Sequence, residues 1–248
     1  MLWNKSICLK VMVAFLLLLS ARLSYSQEVV VELGPSRLPI TEYFTISLKL
    51  RGGTKRGKNP QLTAILRPRP GDANSKKISV ALPHSEFLDQ SHIKTICTRV
   101  QFKAGAGNGA GCPKGSIYGT VKAWTPLLDN PLQGNVYLRS SEHPLPDLVL
   151  ALHGQVEFTA VGRIDSVKGG IRNTFEAVPD APISKVEVRF AGGKKSLLVN
   201  STNICKGRHR AKLDYTAHSG KTYGAKAPLQ AKCKKGKHKK RAKHRRAR

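Results

Sequence analysis

The sequence predicts an all-β protein: two related immunoglobulin-like β-sandwich units in tandem, followed by a disordered basic C-terminal tail. Three observations predict it. Short segments alternate polar and apolar residues with period two, the pattern of half-buried antiparallel strands. Clusters of Gly and Pro punctuate those segments as turns. The alternating segments also recur in matching order in the two halves of the chain. Of the 248 residues 40% are hydrophobic, too many for a wholly disordered chain.

Residues 1–26 read as a secretory signal peptide. Lys5 and Lys10 form a basic start, Val11 to Leu19 an apolar core, and Ser24-Tyr25-Ser26 places small residues at the positions that permit cleavage before Gln27. A membrane-spanning helix needs about 20 apolar residues, so this core predicts a cleaved leader and no transmembrane anchor. The expected location is secreted or envelope-associated.

The first unit is expected over 27–125 and the second over 126–233. Thr45 to Leu50 alternates, with Ile46, Leu48 and Leu50 on one face. Ile78 to Leu82, Asn135 to Leu138 and Lys185 to Phe190 alternate in the same way. Turns are expected at Arg51-Gly52-Gly53, Pro70-Gly71-Asp72, Lys168-Gly169-Gly170, Ala191-Gly192-Gly193 and Ser219-Gly220. The stretch Ser85 to Lys94 is short and follows a proline, so it reads as a single turn or loop. Pro126 and Pro131 resist a continuous central strand, which places the meeting of the units near Trp124 to Gln133.

The repeat is anchored by cysteines. Ile78 lies 19 residues before Cys97, and Val186 lies 19 residues before Cys205. Each cysteine follows an isoleucine, Ile96 or Ile204. Leu48 to Gly52 resembles Leu150 to Gly154, Leu62-Thr63-Ala64 resembles Phe158-Thr159-Ala160, and Tyr118-Gly119 resembles Tyr223-Gly224.

Of the five cysteines, Cys8 falls in the leader. Cys97, Cys112, Cys205 and Cys233 remain, and an even number in an exported chain reads as two disulfides. Three connectivities are possible. The preferred one, Cys97–Cys112 with Cys205–Cys233, keeps each bridge within one half of the chain. No CxxC spacing occurs, so no zinc site is expected.

Several segments carry a family resemblance: Leu82 to Gln90, Ile93 to Phe102, Cys112 to Gly119, Thr125 to Asp129, Val136 to Ser141, Leu145 to Val149, Gly162 to Val167, Val178 to Pro182 and Leu197 to Ser201. Together they resemble a module repeated in large exported proteins of high-GC Gram-positive soil bacteria. The resemblance spans roughly Pro35 to Cys233. It implies an exported, disulfide-containing β-rich module and carries no assigned activity. This chain departs from the multi-module pattern in being short, with its own leader and basic tail.

Catalytic signatures do not emerge. Gly105 to Gly111 looks like a phosphate loop, but the Gly-Lys-Ser/Thr that would grip phosphate is missing; it reads as a flexible loop tip closed by a disulfide. There is no G-x-S-x-G elbow and no H-E-x-x-H. His84, His92, His143 and His153 lie near acids in sequence, which is not a triad. No catalytic residue, metal ligand or cofactor is assigned. The reading is a non-catalytic exported β-sandwich protein; a hydrolytic enzyme with a loop-built site and a structural module without ligand are the alternatives.

Charge supplies the functional signal. The formal net charge is +28, and +25 once the leader is removed. Lys232 to Arg248 contributes +11 of this with no acid, leaving +14 on the body. Lys234, Lys235, Lys237, Lys239, Lys240, Arg241, Lys243, Arg245, Arg246 and Arg248 are the candidate polyanion-binding residues. Counterion release makes such a tail a salt-sensitive ligand for any dense polyanion. It holds no aromatic residue for base stacking, so sequence-specific nucleic-acid recognition is not expected. The expected partners are anionic cell-surface polymers or other polyanions.

Overall fold

The structure is a computed structural model and describes residues 44–69, 71–167 and 170–233. The leader, the start of the first unit and the candidate polyanion-binding residues lie outside the described residues. The described chain is all-β. Its strands are β1 (Phe44–Arg51), β2 (Gln61–Pro68), β3 (Ser75–Ala81), β4 (Glu86–Leu88), β5 (Ile117–Trp124), β6 (Leu132–Arg139), β7 (Asp147–His153), β8 (Phe158–Val167), β9 (Gly170–Phe175), β10 (Lys185–Phe190), β11 (Leu198–Asn200), β12 (Arg210–Ala217) and β13 (Thr222–Ala231).

Eleven of these strands close into one barrel in the order β1-β13-β12-β3-β9-β8-β7-β6-β5-β10-β2, while β4 and β11 form a separate two-stranded sheet. Neighbours are antiparallel except β1 and β13, which run parallel. An odd ring cannot alternate direction all the way round, so one parallel pair is obligatory. Here that seam is short, with Leu48, Lys49 and Leu50 facing Leu229, Gln230 and Ala231.

The two tandem sandwiches expected from the sequence are therefore corrected to a single barrel. Strands from either side of the expected 125/126 boundary pair with one another: β3 lies between β12 and β9, and β10 between β5 and β2. The boundary itself falls in the connection of the β5–β6 hairpin. Period-two alternation is shared by sandwiches and barrels, so it does not distinguish them; closure does, and it removes the open edges that sandwiches must protect.

The internal repeat survives in another form. Exchanging β1, β2, β3, β5 and β6 with β8, β9, β10, β12 and β13 maps the strand ring onto itself, with β7 left over. The counterpart missing opposite β7 falls at the β1–β13 seam, which accounts for its parallel pairing. β4 and β11 occupy equivalent places and pair with each other. Cys97 and Cys205 follow them in the chain. The sequence match of β3 with β10 is thus a structural equivalence. The matches of Leu48 with Leu150, Leu62 with Phe158 and Tyr118 with Tyr223 are displaced by one strand, because local alternation does not record strand order.

The barrel faces inward with apolar side chains such as Leu48, Leu62, Val121, Val136, Leu150, Ile164 and Leu213. Lys49, Lys122, Arg163, Arg189, Lys212 and Lys226 point outward and are exposed. That alternation is the reverse of an outer-membrane barrel, whose lipid-facing band is apolar. Among the described residues no helix is long and apolar enough to cross a membrane.

β7 is buried on both faces from Asp147 to Leu152. Its outer face is covered by a short helix, Arg99–Lys103, which the sequence reading missed. Thr98 begins it with a capping box: its side chain accepts from the Gln101 N–H while the Gln101 side chain accepts from the Thr98 N–H. Phe102 then packs with Cys97, Tyr137, Val149 and Ala151. The loop Gly105 to Gly111 lies on the same face, pinned where Asn108 donates to the Leu152 carbonyl at 2.9 Å and accepts from Thr159. Ser85 to Lys94 resolves into β4 and one 3-10 turn, Gln90–His92. Both disulfides form in the preferred pairing, Cys97–Cys112 and Cys205–Cys233.

Candidate ligand-binding site

Eleven strands make a barrel wider than side chains alone fill. Eight strands already suffice to hold one small ligand when the interior residues are modest in size. Here the inward positions alternate large residues with Gly134, Ala64, Ala123 and Ala160, and a cavity of about 460 Å³ remains. This lies within the roughly 300–1,000 Å³ typical of small-molecule sites.

The cavity wall is built from β1, β2, β3 and β5 to β10 through residues such as Ile46, Leu66, Ile78, Leu148, Phe175 and Val186. Its floor is formed by Leu88, Leu197 and Leu198 around the β4–β11 sheet. Among the described residues the mouth lies at the other end, where Trp124 closing β5, Leu127 and Leu128 after it, Val156 after β7, and Pro179, Pro182 and Ile183 after β9 line the rim. Leu127 is 65% exposed and Val156 50% exposed, so apolar surface continues from the cavity to solvent. Lys185 lies 4.0 Å from the Trp124 ring centre and holds one side of the rim.

Among the described residues four lining side chains other than Trp124 carry polar atoms: Ser75, Thr125, Glu157 and Asn173. Glu157 is exposed and lies 3.3 Å from His153 Nδ1. Asn173 is different. It faces inward between Ile171 and Phe175, with Val80 and Ile164 opposite it on the flanking strands. Its Oδ1 and Nδ2 are both buried without a hydrogen-bond partner.

A second group of unpartnered polar atoms sits under the floor. Glu86 is 0% exposed and neither carboxyl oxygen has a partner. Asn200 lies directly across from it in the β4–β11 pair. The Asn200 Nδ2 donates to the Gly53 and Lys55 carbonyls, both at 3.1 Å, which leaves its buried Oδ1 as an unmatched acceptor. The Ser85 hydroxyl is also unpartnered. Burial pushes the Glu86 carboxyl up to about 8. A neutral Glu86 carries an O–H, so protonation removes the buried charge and adds a donor to a group that holds unmatched acceptors on both strands.

The histidines marked by sequence stay apart. His92 reaches the Ser196 carbonyl at 3.0 Å and Asp89 at 3.5 Å, His153 meets Glu157 at the rim, and His84 and His143 enter through their backbones. Among the described residues no three His, Cys, Asp or Glu side chains converge as a metal-binding group. Sequence reading missed Asn173, Glu86 and the cavity. Asn173 had a signal: it occupies an apolar phase of an alternating strand. Glu86 had none, since β4 is three residues long.

No protein-family model matches the chain, and no curated protein matches it. Among solved structures the chain is similar to the GH20 exo-β-N-acetylglucosaminidase of Vibrio harveyi. An inactive mutant gives a TM-score of 0.32 at 6% identity, and a complex with N-acetylglucosamine gives 0.29 at 7%. Each comparison covers 77% of this chain, which spans 18% of the enzyme's length. It is also similar to the Iho670 flagellar-like filament, with a TM-score of 0.24 at 13% identity over 90% of this chain and 96% of that one. Likenesses this distant carry no argument about function.

Proposed function

We propose that this chain is a non-catalytic exported binding protein whose barrel takes up one small apolar molecule. The cavity carries this reading: it is enclosed by apolar side chains, floored at one end and open at the other through an apolar rim. An apolar molecule gains about 25 cal/mol for each Å² it withdraws from water, and among the described residues no charged side chain lines the cavity except Glu157, which is exposed. The leader and the two disulfides support an oxidising, extracytoplasmic setting. The basic tail adds a second element: attachment to anionic polymers of the envelope or matrix, favoured by its +11 charge.

The test is titration of the refolded mature chain with N-phenylnaphthylamine, whose fluorescence rises in apolar surroundings. Saturable binding at one site per chain is expected. Ala64→Phe, which fills the cavity from β2, should abolish it while thermal unfolding stays cooperative. Non-saturable binding, or undiminished binding by the filled variant, would remove the cavity from the proposal.

A further inference from the structure

The cavity wall departs from its own internal symmetry at one place. Register equates Ala64 of β2 with Asn173 of β9, because Ala64 faces Val188 and Leu48 while Asn173 faces Val80 and Ile164. The same register equates Ile46 of β1 with Gly162 of β8. One half of the barrel thus carries Ile46 beside Ala64, an ordinary apolar pair. The other half carries Gly162 beside Asn173.

The two departures are coupled. A Cβ built on Gly162 would lie 2.6 Å from the Asn173 Oδ1 and 2.8 Å from the Phe175 ring. The missing side chain is what leaves room for the amide. Gly162 has an ordinary backbone conformation, so it is there for space and not for a turn. The barrel therefore accommodates an amide where its equivalent position holds a methyl group. That amide costs stability, since its polar atoms are buried and unmatched. Among the described residues nothing else in the wall between floor and rim is polar, and no cationic side chain lines the cavity.

We propose that Asn173 selects the ligand: an apolar molecule bearing one uncharged group that both donates and accepts a hydrogen bond, of hydroxyl or carboxamide type. This rests on the reading of the cavity as a binding site. The Asn173 amide offers one N–H and one C=O edge, and a hydroxyl or carboxamide matches both. An ionised carboxylate would meet no positive charge and would lose its hydration, so it is rejected. A plain hydrocarbon would fill the space and leave the amide unmatched.

Decane, decanol and decanoate, competed against N-phenylnaphthylamine at neutral pH, separate these cases. The wild-type chain should prefer decanol to decane about tenfold, the equivalent of one hydrogen bond together with relief of an unmatched buried group. Decanoate should bind more weakly than decanol. Asn173→Leu, close to isosteric, should still bind decane, lose the preference for decanol, and melt at a higher temperature without ligand. Equal binding of decanol and decane by the wild type, preference retained by Asn173→Leu, or tightest binding by decanoate would overturn the selection by Asn173 and leave the cavity reading standing. Failure of all three compounds to displace the probe would overturn both.

Discussion

Replacing Glu86 by Gln tests the buried acid under the cavity floor. The carboxyl is fully enclosed, and burial lifts it from an ordinary 4.5 to about 8. Between these values the folded protein holds a proton that the unfolded chain has released. Stability is therefore fully present below 4.5 and declines as the pH rises towards 8. At about 1.4 kcal/mol per pH unit, the decline over that window is at most about 5 kcal/mol, a large share of the roughly 5–15 kcal/mol that holds a domain together. The amide of Glu86→Gln has the shape of the neutral acid and keeps an uncharged donor on β4, across from Asn200, at every pH. Guanidinium denaturation from pH 5 to pH 8 should show a falling midpoint for the wild type and a nearly level one for the variant, with the variant the more stable at pH 8. An unchanged slope in the variant, or lower stability than wild type at pH 8, would refute the reasoning. So would stabilisation of the wild type alone by added calcium, which would place a cation between the two acceptors where we place a proton.

Removing both Cys97 and Cys112 by serine substitution should cost about 3 kcal/mol, and removing Cys205 and Cys233 about 3.6 kcal/mol, from the loop entropies of separations 15 and 28; denaturation midpoints measure this. Gly134→Ala should abolish soluble folded protein, since a Cβ there would lie 1.7 Å from the Ala151 carbonyl oxygen; expression with far-ultraviolet circular dichroism reads the outcome. Deleting Lys234 to Arg248 should leave the unfolding midpoint unchanged. The slope of log affinity for DNA or teichoic acid against log salt, expected at about −4 to −7 for six to eight phosphates engaged, should flatten by most of that amount.

The all-β class and the disulfide pairing were legible because both rest on local signals. Alternation in Thr45 to Leu50 marks β1, and the common interval to Cys97 and Cys205 marks two equivalent segments. Strand order was not legible. The pairing of Val80 with Asn173, and of Ala64 with Val188, depends on which distant strand arrives as neighbour, and the polar–apolar pattern is the same for every candidate. β7 reads as a continuous apolar run, Leu148-Val-Leu-Ala-Leu152, because the helix Arg99–Lys103 covers its outer face. That helix was overlooked because its five residues are too few to show a helical period. Within the site, Asn173 was visible as a polar residue in an apolar phase. Its partner Gly162 gains meaning only from the register.

The seam between β1 and β13 sets a timetable for a chain made from its N-terminus. β1 and β2 can pair with each other early, but the second neighbour of β1 is complete only at Ala231. β3 waits longer: its neighbours are β9 and β12, so it has none until residue 170 has been made. A half-made chain therefore presents unpaired strand edges and an apolar concave surface, the conditions under which nascent chains associate wrongly. Neither half holds all the strand partners that close the barrel, and the distance along the chain between partners predicts slow closure. The enclosed interior comes into being only when β13 docks beside β1, so the cavity wall closes only after Ala231 has been made.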